Sequence, residues 1–116
     1  MTEWKPVLKA KIPHKDGNSY AIGGGYIVRW TRKNLLYEGM ICAIHNILWE
    51  DPWNELGKGK GQVIDYEYSI IYKGHYEYVN GADLEYLEEP DDICFQRISN
   101  FDWEAFKLTV INFPMS

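Results

Sequence analysis

The sequence predicts one mostly-β domain spanning residues 1–116, organised around a central antiparallel hairpin at about residues 62–79. Three observations predict it. First, Ile64, Tyr66, Tyr68 and Ile70 fall on one parity while Asp65, Glu67 and Ser69 fall on the other, the period of two that marks a strand with one buried face. Second, the aromatic share is 16%, with five Trp and nine Tyr, and aromatic residues at that density favour pleated surfaces and interfaces. Third, short β-branched and aromatic runs recur between Gly, Asn, Asp and Pro turn residues. A chain of 116 residues can bury a core without a metal or a disulfide staple.

From the N-terminus, Leu8, Ala10 and Ile12 alternate with Lys9 and Lys11, so residues 7–12 read as a short strand with a basic outer face, ended by Pro13. Asp16-Gly17 is the next bend. Residues 20–30 read as two strands, or as one strand sharply bulged at Gly23-Gly24-Gly25. A phosphate cradle would need these glycines to open a helix, and they lead instead into Tyr26-Ile-Val-Arg-Trp30.

Residues 34–49 fit two periods. Leu36, Met40, Ala43, Ile44 and Ile47 make a helical stripe, whereas Met40, Cys42 and Ile44 make one face of a strand. Gly39 would cost a helix about 1 kcal/mol relative to Ala, so a strand is expected over residues 37–45. A helix there would make the fold α+β.

The segment Asn34-Leu-Leu-Tyr-Glu-Gly-Met-Ile-Cys-Ala, followed after a loop by Gly61-Gln-Val-Ile-Asp-Tyr, resembles the Tyr-Glu-Gly-Asp-Ile-Val and Gly-x-Val signature of YopX-like phage and prophage proteins. Met40 stands where that family usually has Asp. The resemblance implies a small β-barrel and a phage-type origin, and it assigns no catalytic residue. On physical grounds alone, Tyr37-Glu38-Gly39 reads as a turn delivering the chain into a sheet.

Residues 49–61 form the longest expected loop. Trp49, Glu50, Asp51 and Trp53 put two indoles and two acids on it, which fits either a binding hot spot or a pair of rings folded back as a lid. Gly57-Lys-Gly-Lys-Gly61 lacks Walker spacing and reads as a flexible link. In the hairpin, a three-residue loop at Tyr72-Lys73-Gly74 would pair Ile70 with Tyr76, Tyr68 with Tyr78 and Ser69 with Glu77. That register gathers the tyrosines on one face and Asp65, Glu67 and Glu77 on the other.

After the Asn80-Gly81 turn, residues 82–87 read as a strand with Leu84 directed inward. A tight turn followed by Asp83-Leu-Glu-Tyr-Leu87 is a common way for an SH3-like barrel to return its last strand, so the expected architecture is a small, SH3-like, partly open barrel. Residues 93–98 are expected as a further strand. A single helical turn capped by Asn100 or Asp102 follows, and a last strand at 107–113 ends at Pro114.

Chemistry is sparse. Cys42-x-x-His45 has a spacing that could hold zinc, but on a strand the two side chains would point to opposite faces and two further ligands are wanting. No metal, cofactor or catalytic residue is expected, and no enzyme. The charge is the unusual feature: residues 1–60 carry nine Lys/Arg against six Asp/Glu, and residues 61–116 carry three against eleven, giving the net −5. Asp65, Glu67, Glu77 and Glu85, with Glu88, Glu89, Asp91 and Asp92, could face a basic, nucleic-acid-handling protein as an inhibitor or immunity protein would. The alternative is a nucleic-acid face of Arg29, Trp30, Arg32 and Lys33. A third reading is a homodimer or other self-assembly paired through exposed strands or the Trp49/Trp53 loop. The absence of a membrane-length apolar run and of a leader-like start sets the expectation of a cytoplasmic protein of a bacterial host.

Overall fold

The computed structural model describes residues 3–8, 10–13, 16–49 and 63–111. Its strands are β1 (Trp4–Pro6), β2 (Ile12–Pro13), β3 (Ser19–Tyr20), β4 (Ile27–Arg32), β5 (Leu35–Trp49), β6 (Val63–Tyr72), β7 (His75–Asn80) and β8 (Glu85–Leu87). Two helices, α1 (Asp91–Ser99) and α2 (Trp103–Ile111), follow. The mostly-β expectation therefore holds, with a helical C-terminal fifth of the chain.

Two tight turns build the centre of the sheet. Lys33 and Asn34 (φ 52° and 65°) join β4 to β5, and Lys73 and Gly74 (φ 45° and 84°) join β6 to β7. Paired positive φ values define the two-residue hairpin turn whose twist matches that of the strands. The hairpin register differs from expectation as a result: Ile71 opposes Tyr76, Ile70 opposes Glu77 and Ser69 opposes Tyr78. Tyr76 and Tyr78 thus lie on the face opposite Tyr68 and Ile70. Turn geometry overrides the tidier segregation of rings from acids because Lys73 accepts the left-handed conformation.

The main sheet runs β1-β8-β4-β5-β6-β7, antiparallel throughout, with β2-β3 a separate ladder. If it were flat, β7 and β8 would sit four strand spacings apart, roughly 19 Å. Residues 81–84, coiled over Gly81–Asp83 in a 3-10 turn, reach only about 13 Å. The sheet must therefore curl, and its concave face holds Val28, Trp30, Ile41, Tyr68, Ile70 and Leu84 as a buried cluster. No ladder joins β1 to β7 among the described residues.

The convex face is covered by α2, where the sequence suggests a solvated side. Phe106 is buried against Met40 and Ile71, beside Tyr76, Phe101 and Trp103. α1 replaces the strand expected at 93–98, and α2 replaces the strand expected at 107–113 as far as Ile111, the remainder lying outside the described residues. Pro90 precedes α1 and Asp91 and Asp92 occupy its first turn, a favourable charge at a helix N-terminus, while Cys94 and Ile98 face inward at i, i+4. Asp102 caps α2, its Oδ1 accepting from the Ala105 N–H at 3.0 Å, so the expected single turn continues to Ile111. The strand expected at 7–12 is not formed: Val7, Leu8, Ala10 and Lys11 lie outside strands, between β1, which ends at Pro6, and β2, which begins at Ile12. The triple glycine is a packing device: a Cβ on Gly25, at φ 94°, would overlap the Cys94 carbonyl of α1.

Candidate functional site

The fifteen-residue strand β5 outruns its neighbour β4, whose ladder with it ends at the Ile27–Met40 pair. Beyond Ile41 β5 has lost β4, and beyond the Asn46–Glu67 pair, where the β7 ladder also ends, β5 and β6 continue as a two-stranded ribbon beside the N-terminal segment. Register shifts between Ile41 and Ala43, between Ile44 and Asn46, and between Leu48 and Trp49 mark bulges, each of which resets which face a residue occupies. Directly opposed residues share a face. Ile44 opposite Tyr68 and Ile47 opposite Tyr66 therefore continue the concave row that begins with the buried Ile41–Ile70 pair.

That row is uncovered at its far end. Ile44, Ile47 and Ile64 keep 43%, 42% and 45% of their surface, and Trp49 and Val63 at the ribbon tip are exposed as well. Between the ribbon and the segments around Val7 and Tyr20 lies a cavity of about 540 Å³, with Tyr66 and Tyr68 on its β6 wall and Lys11 and Ser19 across from them. Asp65 belongs to the same wall, but its carboxylate is committed: Oδ1 accepts from the Tyr66 N–H at 2.7 Å and Oδ2 from the Ala82 N–H at 2.8 Å. Tyr68 is 2% exposed, and its hydroxyl makes no hydrogen bond among the described residues. Burial pushes the Tyr68 phenol well above its ordinary range, with Asp65 and Tyr66 adding to the effect.

The structure disperses the acids that the sequence groups together. Glu88 pairs with Lys5 at 2.6 Å, Glu85 with Arg29 at 3.0 Å and Glu89 with Arg97 at 2.8 Å. Glu77 sits between His75 at 3.0 Å and Arg32 at 3.5 Å, on the concave side and away from Glu67. Asp91 accepts from the Tyr26 hydroxyl at 3.3 Å, and Asp92 lies beside it in the first turn of α1. Lys5, Arg29 and Arg32 of the basic N-terminal half thus each hold a glutamate of the acidic C-terminal half, while Arg97 holds Glu89 within it. Glu50, Asp51 and Trp53 lie outside the described residues.

The alternative nucleic-acid face is consumed in the same way. Trp30 is buried and stacked on Tyr37 with ring centroids 5.6 Å apart, which leaves a base no access to it. The Arg29 guanidinium lies over Trp4, 4.3 Å from the ring centroid, as well as against Glu85. Arg32 is held by Glu77, and Lys33 forms the β4–β5 turn.

The bulges also change the relation of Cys42 to His45. Cys42 packs beside Met40 and Tyr76 under α2, and the His45 ring lies against Tyr78, tilted at 39° with centroids 4.3 Å apart, so both lie on the convex face. Burial raises the Cys42 thiol above its usual range, against a smaller opposing hydrogen bond with Tyr76, which keeps it protonated and weakly nucleophilic near neutrality. Both cysteines are free, and no group of three His, Cys, Asp or Glu side chains converges among the described residues.

Ile44, Ile47, Tyr66 and Tyr68 are site residues that the sequence reading assigns only to structure. The one signal for them is the length of the apolar run on either side of residues 50–62, which exceeds what β4 and β7 can cover. No protein-family model, curated protein or solved structure matches this chain.

Proposed function

We propose that this protein is a non-enzymatic binding module that docks the overhanging β5–β6 ribbon on a basic partner protein, in the manner of an inhibitor or immunity protein. The observation that carries this reading is the uncovered apolar ribbon itself: Ile44, Ile47, Trp49, Val63 and Ile64 are all exposed on one projecting element. Ile44, Ile47 and Ile64 share one face of it, and exposed apolar side chains grouped in this way mark interaction sites. The charge of the partner follows from the same element, whose described residues include Asp65 and Glu67 and no Lys or Arg. Asp65 is held by two backbone N–H groups and Glu67 lies 3.9 Å from His45, so the element carries an apolar row with two acids on its other face and, among its described residues, no basic side chain but His45. The docking surface is thus narrower than the full acidic half of the chain.

The test is capture from host lysate with the tagged protein and with an Ile47→Asp, Ile64→Asp double variant, washed at low and high salt. The reading expects one stoichiometric basic protein, retained by the parent chain, weakened by salt and lost from the variant. Equal retention by both forms, or no retained protein, overturns it.

A further inference from the structure

The cavity beneath the ribbon shares Val63 and Ile64 with the ribbon's apolar surface but brings polar groups of its own. Its volume of about 540 Å³ falls in the range of small-molecule sites, roughly 300–1,000 Å³, and Val7, Ala10, Ala21 and Ile64 give it apolar walls. Its polar groups are unbalanced. Tyr66, Tyr68, Ser19 and Lys11 all bring donors, and none of these side chains has a hydrogen bond or ion pair among the described residues. The one carboxylate, Asp65, already accepts from two backbone N–H groups, so its negative charge is partly met by the fold. Tyr68 is the strongest sign. The residue is 98% removed from solvent, yet it lines the cavity and its hydroxyl is not among the sealed, unpartnered polar atoms, so the hydroxyl is the part of it left open. As a lining residue it can offer that hydroxyl to an occupant of the cavity.

We infer that the cavity is a binding site for a small organic carboxylate with a flat apolar body, the body lying between the tyrosine rings and the aliphatic wall and the carboxylate taking hydrogen bonds from Tyr68 and charge from Lys11. A carboxylate fits better than a phosphate, because the one ammonium in the lining, with Asp65 also present, cannot balance a dianion. A cationic ligand would meet Lys11 and a carboxylate whose lone pairs are partly spent.

The probe is 2-naphthoate, titrated into the purified full chain by calorimetry, with 2-naphthylmethylammonium as the same body of opposite charge. Binding of the naphthoate is expected to saturate at one per chain and to exceed that of the ammonium probe. Tyr68→Phe and Lys11→Gln are each expected to weaken it roughly tenfold, as loss of a hydrogen bond to a charged group does. Lys11 is exposed, so Lys11→Gln reports on the site even if the Tyr68 variant folds poorly. Absence of saturable naphthoate binding, equal affinity for the two probes, or wild-type affinity in the Lys11 variant overturns the assignment. Because the titration needs no partner protein, its failure leaves the docking proposal untouched, and failure of the lysate capture leaves this site untouched.

Discussion

Arg97 and Glu89 clasp one another at 2.8 and 2.9 Å through a single guanidinium nitrogen, while the other terminal nitrogen of Arg97 donates to the Gly25 carbonyl at 2.6 Å. One side chain thereby ties α1, the segment leading into it and the entry to β4 together. The pair is mostly shielded, with side-chain exposures of 28% and 13%. Replacing Arg97 with Met is expected to cost about 2 kcal/mol, less than a fully buried pair, because some water still reaches it. Glu88→Gln, which removes the half-exposed partner of Lys5, is expected to cost under about 0.5 kcal/mol. Urea unfolding of the two variants separates structural from surface acids, and equal costs would contradict the distinction.

Gly25→Ala is expected to destabilise the fold by roughly 3 kcal/mol or more, since both a left-handed φ and the Cys94 carbonyl oppose a Cβ there. Gly23→Ala, with nothing within 4 Å of the new Cβ, is expected to change stability by no more than about 0.5 kcal/mol. Thermal melts of the pair give the comparison.

Phe106→Ala removes the ring that α2 sets on Met40, Ile71 and Tyr76. The expected loss is about 3–4 kcal/mol. A lower helical signal with the strand signal retained would show α2 detaching from a sheet that persists, and a single cooperative loss of both would show that the second layer is integral.

Alkaline pH should unfold the protein by a defined route. Burial raises the phenols of Tyr26 and Tyr68 and the thiols of Cys42 and Cys94, so the folded chain keeps these protons longer than the unfolded chain does. Their contribution is complete below the unfolded-state values, about 8.5 for Cys and 10 for Tyr, and declines as pH climbs past them. The urea midpoint is expected to fall from about pH 9 upward, with part of the phenolate absorbance appearing only on unfolding. A midpoint unchanged to pH 11 would contradict this.

The strands were more legible in the sequence than the faces they present. Alternation in 64–70 correctly places Tyr68 and Ile70 in the core, and Gly39 correctly argues for a strand at β5. The bulges are invisible to a period-two reading, since nothing in Ile41-Cys-Ala or Ile44-His-Asn announces an extra residue, so the common face of Cys42 and His45 is lost. The helices failed for a related reason. Leu108-Thr-Val-Ile111 has β-type composition, and only Asp102, Trp103 and Phe106, read together as cap and i, i+3 stripe, argue for α2. The cavity depends on placing β6 against residues 7–21, a long-range relation that no local pattern contains.

Trp4 lies opposite Leu87, and Val28 opposite Tyr86. During synthesis the amino-terminal strand leaves the ribosome long before β8 exists, so its only ladder partner among the described residues is supplied by the last third of the chain. At about 5–20 residues per second, β1 and one side of β4 wait several seconds with open backbone edges. The nascent protein thus depends on the β4–β5 and β6–β7 hairpins forming early to occupy the remaining edges, and it becomes whole only when the strand closing the sheet and the helices covering it arrive together.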